Sequence, residues 1–171
     1  MKSARALIMI VTFISIAMSA ESDKRSLLGD LKWRNIGPAN MGGRVSAIEG
    51  VAGDPNTYYV GGADGGIFKT INNGVTFDEI FNDQDAYSIG AIAVSPSDAN
   101  VLWVGTGEGD PRNSVGYGRG VYRSIDGGIT WEKAGLEKTE RIKRIVVDPR
   151  DPDVVSVCAL GREWGPNPER G

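Results

Sequence analysis

Ile48-Glu49-Gly50-Val51-Ala52-Gly53-Asp54-Pro55-Asn56-Thr57-Tyr58-Tyr59-Val60-Gly61 has a partner 44 residues later, where Ile48, Asp54, Asn56, Val60 and Gly61 recur as Ile92, Asp98, Asn100, Val104 and Gly105. A third copy follows at a spacing of 53, pairing Ile92, Pro96, Asp98 and Val104 with Ile145, Pro149, Asp151 and Val157. The extra length is localised, because Thr70, Gly74, Thr76 and Phe77 map onto Ser124, Gly128, Thr130 and Trp131 at a spacing of 54. An insertion therefore sits between Gly105 and Ser124, over Gly107 to Arg119. A basic period of 44 is that of a four-stranded propeller blade, which runs about 40 to 50 residues.

Each repeat reads as short strands joined by tight turns. Val45 to Val51, Ile89 to Val94 and Ile142 to Val147 are apolar or alternating runs suited to a first, innermost strand. Thr57 to Gly61, Val101 to Gly105 and Val154 to Ala159 read as second strands, and Gly66 to Thr70 and Gly120 to Ser124 as third strands. Val75 to Ile80 and Ile129 to Lys133 read as fourth strands, reached through Asn72-Asn73-Gly74 and Asp126-Gly127-Gly128. Asn-Gly and Asp-Gly mark tight turns because both tolerate a positive φ. No stretch after the leader holds a helical period, so the expected fold class is all-β: a β-propeller fragment of antiparallel four-stranded blades at about 44–81, about 89–134 and from 142.

Trp33-Arg34-Asn35-Ile36-Gly37 resembles Trp131-Glu132-Lys133-Ala134-Gly135, and Trp33 precedes Ile48 by 15 residues as Phe77 precedes Ile92. This reads as an N-terminal closing strand, one that completes the last blade of a ring. The expectation is about two and a half blades plus that strand, with the remaining blades supplied later in a longer chain.

The composition bounds the chemistry. The 171 residues include 24 Gly, 40% apolar residues and 24% charged residues, the balance of a globular, turn-rich chain. There is no His, which removes a Ser-His-Asp triad, a Cys-His pair and an H-E-x-x-H zinc site from this segment. The single Cys158 forms neither an internal disulfide nor a Cys-x-x-Cys site. With a net charge of −3 and no basic patch, nucleic acid and anionic membrane are not expected partners. Lys2 and Arg5, the apolar run to Ala17 and the small residues before Glu21 read as a signal peptide over residues 1–20. A linker at 21–30 and the propeller segment at 31–171 follow, and the expected destination is outside the cell or the periplasm.

Ser124-Ile125-Asp126-Gly127-Gly128-Ile129-Thr130-Trp131 carries the full S-x-D-x-G-x-T-W pattern, and Thr70-Ile71-Asn72-Asn73-Gly74-Val75-Thr76-Phe77 is a weaker copy. Here the chain resembles the Asp-box (BNR) β-propellers, which include sialidases, xyloglucanase-type glycoside hydrolases and sortilin-type receptor domains. Val104 to Glu108 with Arg112 to Val115, Gly120-Val121-Tyr122 and Trp164-Gly165-Pro166-Asn167 are similar to large exported bacterial proteins labelled glycosyl-hydrolase-like or sortilin-like. That resemblance covers Leu31 to Gly171. It implies structural roles for Ser124, Asp126, Gly128, Thr130, Trp131, Thr70, Gly74 and Phe77, with Asp126 accepting the amides of its own turn. The arginine triad and Tyr-Glu pair of sialidases have no counterpart. Xyloglucanase-type enzymes place a catalytic Asp before a Gly-Gly; in Ala63-Asp64-Gly65-Gly66 the Asp stands one position later.

Strand alternation places the turns with the S-x-D-x-G pattern on one face and the connections from second to third and from fourth to first strands on the other. Long loops on a rigid scaffold collect binding groups, so the candidate site is this second face. Asp64 and Glu108 are the candidate acid or base, with Arg44, Asp110, Arg112, Asn113, Tyr117, Trp164, Asn167 and Glu169 as ligand contacts for a glycan or peptide. The structural alternative pairs Glu108 with Arg112 to pin the loop and uses Trp164 to fill the gap between blades. Asp148, Asp151 and Asp153 alternate with Pro149 and Pro152 and read as a turn rather than a calcium site. No metal and no cofactor is expected. The function reading is a carbohydrate-directed propeller acting through paired carboxylates if it is a hydrolase, with a sortilin-type peptide-binding module as the alternative.

Overall fold

The computed structural model describes residues 43–171. Strands β1 (Val45–Val51), β2 (Asp54–Gly62), β3 (Ile67–Thr70) and β4 (Asp78–Glu79) pair antiparallel in that order in one sheet. Strands β5 (Ile89–Val94), β6 (Leu102–Thr106), β7 (Val121–Ser124) and β8 (Glu132–Lys133) repeat the arrangement, and β9 (Ile142–Val147) pairs with β10 (Val155–Ala159). The described residues are all-β and form a partial β-propeller. The leader, the linker and the strand expected at Trp33 to Gly37 lie outside the described residues.

The repeat reaches down to single hydrogen bonds. Equivalent pairs open the three hairpins: Val45 faces Gly62, Ile89 faces Thr106 and Ile142 faces Ala159, each beside a register shift. The turn between first and second strands is closed each time by an aspartate that accepts the amide two residues on, Asp54 from Asn56 at 2.9 Å, Asp98 from Asn100 at 2.9 Å and Asp151 from Asp153 at 3.0 Å. Asp148 accepts from the Arg150 amide at 2.8 Å. A short carboxylate mimics a backbone turn in this way.

At the other turn Asp126 Oδ1 accepts the amides of Ile129 and Thr130 at 2.9 and 2.8 Å, and Oδ2 accepts the Thr130 hydroxyl at 2.5 Å. Ser124 Oγ accepts the Gly128 amide at 2.9 Å. The Thr130 hydroxyl, followed by the Thr130 amide, holds the Asp126 carboxyl down to about 2. In the first sheet Asn72 Oδ1 accepts the Thr76 amide at 2.9 Å and Thr70 Oγ1 the Gly74 amide at 2.9 Å, so an amide closes the same turn. Gly127 has φ +71° and its counterpart Asn73 φ 57°, the left-handed region that Gly and Asn enter at least cost.

These turns shorten the fourth strands. Extended segments were expected over Val75 to Ile80 and Ile129 to Lys133, but only Asp78–Glu79 and Glu132–Lys133 pair. The amides of Thr76 and Thr130 are consumed by Asn72 and Asp126, so these residues belong to the turn and not to the ladder. Val75 and Ile129 accordingly stand exposed.

Two apolar layers bind the sheets side by side. Tyr59, Ile67 and Phe81 pack with Ile89, Ile92, Val104 and Tyr122 between the first two sheets, and Ala91, Trp103 and Val121 pack with Ile142, Ile145 and Val147 between the second sheet and the last hairpin. Glycine sets the spacing, since a methyl on Gly61 would lie 2.7 Å from Ile89 Cγ2 and one on Gly105 2.4 Å from Ile142 Cγ2. Polar clasps start from equivalent residues and reach different turns of the next sheet. Lys69 lies over the Tyr59 ring and donates to Gly127 O at 2.8 Å, while Arg123 lies over the Trp103 ring, pairs with Asp153, and Trp103 Nε1 donates to Pro152 O at 2.9 Å. Trp131 Nε1 reaches back to Ile80 O at 2.7 Å. On the far side of the last hairpin the pattern changes: where the earlier sheets pair Ala47 with Gly61 and Ala91 with Gly105, it pairs Arg144 with Cys158.

Candidate functional site

Arg44, Ser88 and Arg141 each stand just before an innermost strand, and their carbonyls accept amides from the connection that follows the neighbouring second strand. Ala63 donates to Arg44 O at 2.9 Å, Gly107 to Ser88 O at 2.7 Å and Leu160 to Arg141 O at 2.9 Å. The next residue in each connection is Asp64, Glu108 and Gly161, so the two candidate carboxylates occupy equivalent places in successive sheets.

Their surroundings differ. Asp64 is exposed and, among the described residues, makes no hydrogen bond or ion pair; a methyl on Gly116 would lie 2.0 Å from its Oδ1 and 2.6 Å from Ser88 Cβ. Glu108 is 0% exposed and pairs through Oε1 with the Arg44 guanidinium. Its amide donates to Ser88 Oγ at 2.9 Å and to Gly116 O at 3.3 Å. Among the described residues neither Glu108 carboxylate oxygen meets a hydrogen-bond donor in good geometry, and the Arg44 ion pair is what balances its charge. The Glu108–Arg112 pair weighed from the sequence is not formed: Arg112 turns to Ser114 Oγ at 3.3 Å. Loop proximity made Arg112 the obvious partner, but the inner-strand start of the neighbouring sheet brings Arg44 closer.

The insertion between β6 and β7 has a fixed base and an exposed tip. Gly118 donates to Glu140 O at 2.7 Å, Arg119 donates to Thr106 Oγ1 at 2.7 Å, and Asp110 pairs with Lys143 of β9. Arg112 and Asn113 are exposed at the tip and Tyr117 is 69% exposed. In the connection after β10, Asn167 spends its amide inside the loop, accepting from Arg162 N at 2.9 Å and donating to Leu160 O at 2.8 Å. It is a clasp. Arg141 and Glu163 form an ion pair at 3.0 Å beneath that loop. Glu169 offers its carbonyl to Thr139 Oγ1 at 3.0 Å and its side chain to solvent. Trp164 is 80% exposed in the connection after β10.

Sequence reading missed Tyr87. It precedes Ser88 in the connection leading to β5, is exposed, and its carbonyl accepts the Gly66 amide at 2.8 Å, which sets it beside the Asp64 turn. The equivalent connection one repeat earlier carries Arg44, so repeat spacing points to this segment. A cavity of about 430 Å³ lies elsewhere, along the three innermost strands and lined by Glu49, Ala91 and Arg144 among others. Burial holds the Glu49 carboxyl above its ordinary value, against the opposing pull of Arg144.

No family model matches the chain, and no curated protein does. Among solved structures it is similar to an ancestral GH74 enzyme, with a TM-score of 0.55 and 22% identity over 67% of this chain and 16% of that one. The Niastella koreensis GH74 enzyme is similar with a TM-score of 0.51 and 17% identity, over 67% of this chain and 17% of that one. The chain thus spans about one sixth of the length of the structures whose fold it shares.

Proposed function

We propose that the protein is a carbohydrate-directed propeller and that its ligand meets the loop face bearing Asp64, Tyr87, Tyr117 and Trp164. The observation that carries this is the company of two exposed aromatic residues, Tyr87 and Tyr117, with a carboxylate that no described residue engages: the Tyr87 carbonyl accepts the Gly66 amide and Tyr117 follows Gly116, which backs Asp64. Sugar rings stack on aromatic faces while carboxylates accept their hydroxyl protons. The likeness to GH74 enzymes, propeller-type glycoside hydrolases, supports the choice of a glycan over other ligands. The turn signature at Ser124 to Trp131 supports kinship with the Asp-box propellers, and the leader supports export.

Hydrolysis requires two carboxyl groups roughly 5 to 9.5 Å apart. Asp64 is assigned one of those roles. Glu108 is not assigned the other, because Arg44 neutralises it beneath the surface. The second carboxylate belongs, on this reading, to a further part of the ring in a longer protein.

Titration calorimetry with soluble β-1,4-glucan oligosaccharides, paired with a reducing-sugar assay, tests the reading. Trp164→Ala is expected to weaken glycan binding about tenfold, the equivalent of one lost stacking contact. Asp64→Asn is expected to abolish any sugar release. Retention of peptides without glycan binding would replace this reading with the sortilin-type one.

A further inference from the structure

Two carboxylates that the repeat makes equivalent have been given opposite fates, and one arginine separates them. Asp64 and Glu108 lie 44 residues apart, each directly after the amide that bonds back to the residue before an inner strand. Arg44 begins the same sheet that carries Asp64, yet its guanidinium crosses to Glu108 in the next sheet. In the last hairpin Arg141 stays at home, pairing with Glu163 at 3.0 Å and donating to Gly161 O at 3.2 Å.

We propose that Arg44 is a positioning residue for the ligand site. By neutralising Glu108 across the boundary it seats the 107–119 loop and leaves Asp64 as the carboxylate of the repeat pair that a ligand meets; the ligand half of this rests on the carbohydrate reading above. The physical chain is short. A fully buried carboxylate is stable only while paired, and removing one partner leaves an uncompensated charge. Without Arg44, Glu108 must turn toward water, and its amide then leaves Ser88 Oγ and Gly116 O. Gly116 is the residue that backs Asp64, and Tyr117 follows it. Losing the pair thus frees both the carboxylate's support and an aromatic contact.

The test uses limited trypsin digestion, because Arg112 is exposed at the loop tip and cleavage there reports loop opening with no ligand present. Arg44→Met is expected to speed cleavage after Arg112 by about tenfold, and Arg44→Lys to stay within about threefold of the parent. The double variant Arg44→Met/Glu108→Gln, which buries no charge, is expected to recover most of the protection. That recovery is not a property of a general packing defect, and the double variant carries the test if Arg44→Met alone does not fold. Unchanged cleavage in Arg44→Met, or a double variant as labile as the single, overturns the proposal. A β-1,4-glucan oligosaccharide is then titrated against the same set and against Asp64→Asn. Expected is weaker binding in Arg44→Met, recovery in the double variant, and weaker binding in Asp64→Asn with no change in cleavage. If the loop results hold and glycan affinity does not follow them, the carbohydrate reading fails while the Arg44–Glu108 clasp stands.

Discussion

Gly105→Ala tests the packing rule that joins one sheet to the next. The new methyl would lie 2.4 Å from Ile142 Cγ2, 2.8 Å from Ile142 Cβ and 3.3 Å from Ile145 Cδ1. These are all side-chain atoms of one inner strand, so β9 must retreat or Ile142 must change rotamer. Overpacking of this kind costs about 1–3 kcal/mol, offset by about 0.4–1 kcal/mol from the reduced freedom of the unfolded chain. The net expectation is a loss of about 1–2 kcal/mol. Gly50→Ala is the control. That glycine lies in β1 with nothing within 4 Å of the added methyl, so it is expected to be neutral or to gain a few tenths of a kcal/mol. Ile142→Ala, which removes the crowding Cγ2 methyl, is expected to cost about 2–5 kcal/mol alone and to restore part of the loss when combined with Gly105→Ala. Urea unfolding of the four variants against the parent reads all of this. Additive costs for Gly105→Ala and Ile142→Ala, or equal effects at Gly50 and Gly105, would refute the idea that glycine sets the distance between sheets.

Two further outcomes follow from the clasps. The Asp126 carboxyl lies at about 2 in the folded chain and near 3.9 when unfolded. A depressed carboxyl stabilises above its unfolded value, and that contribution is lost as pH falls from about 4 to about 2. Asp126→Asn is therefore expected to lower stability at neutral pH by about 1 kcal/mol, after discounting for solvent screening, and to flatten the acid limb of the unfolding curve. Trp103→Phe removes the donor to Pro152 O and weakens the stacking of Arg123. It is expected to cost about 1–2 kcal/mol in chemical denaturation.

Strands and turns with local causes were legible in the residues. All three innermost strands occupy the expected ranges, because Val45 to Val51, Ile89 to Val94 and Ile142 to Val147 are bounded by turn chemistry that acts within four residues. The fourth strands were read too long because Asn72 and Asp126 capture amides that alternation alone assigns to the ladder. The site was legible in outline only. Repeat spacing picks out Asp64 and Glu108, but the partner of Glu108 depends on how one sheet is set against the next, and nothing within the insertion announces Arg44.

The exchange of Ala and Gly for Arg144 and Cys158 on the outer side of the last hairpin bears on anyone who would lengthen this protein by tandem duplication. A copied second sheet would bring an isoleucine like Ile89 or Ile142 down onto a thiol-bearing carbon where its template met bare backbone. It would also find Ser156 in place of the ring that grips the following turn in Tyr59 and Trp103. Such a graft is expected to need Cys158→Gly, Arg144→Ala and Ser156→Trp to reproduce the packing seen at Gly105 and Trp103.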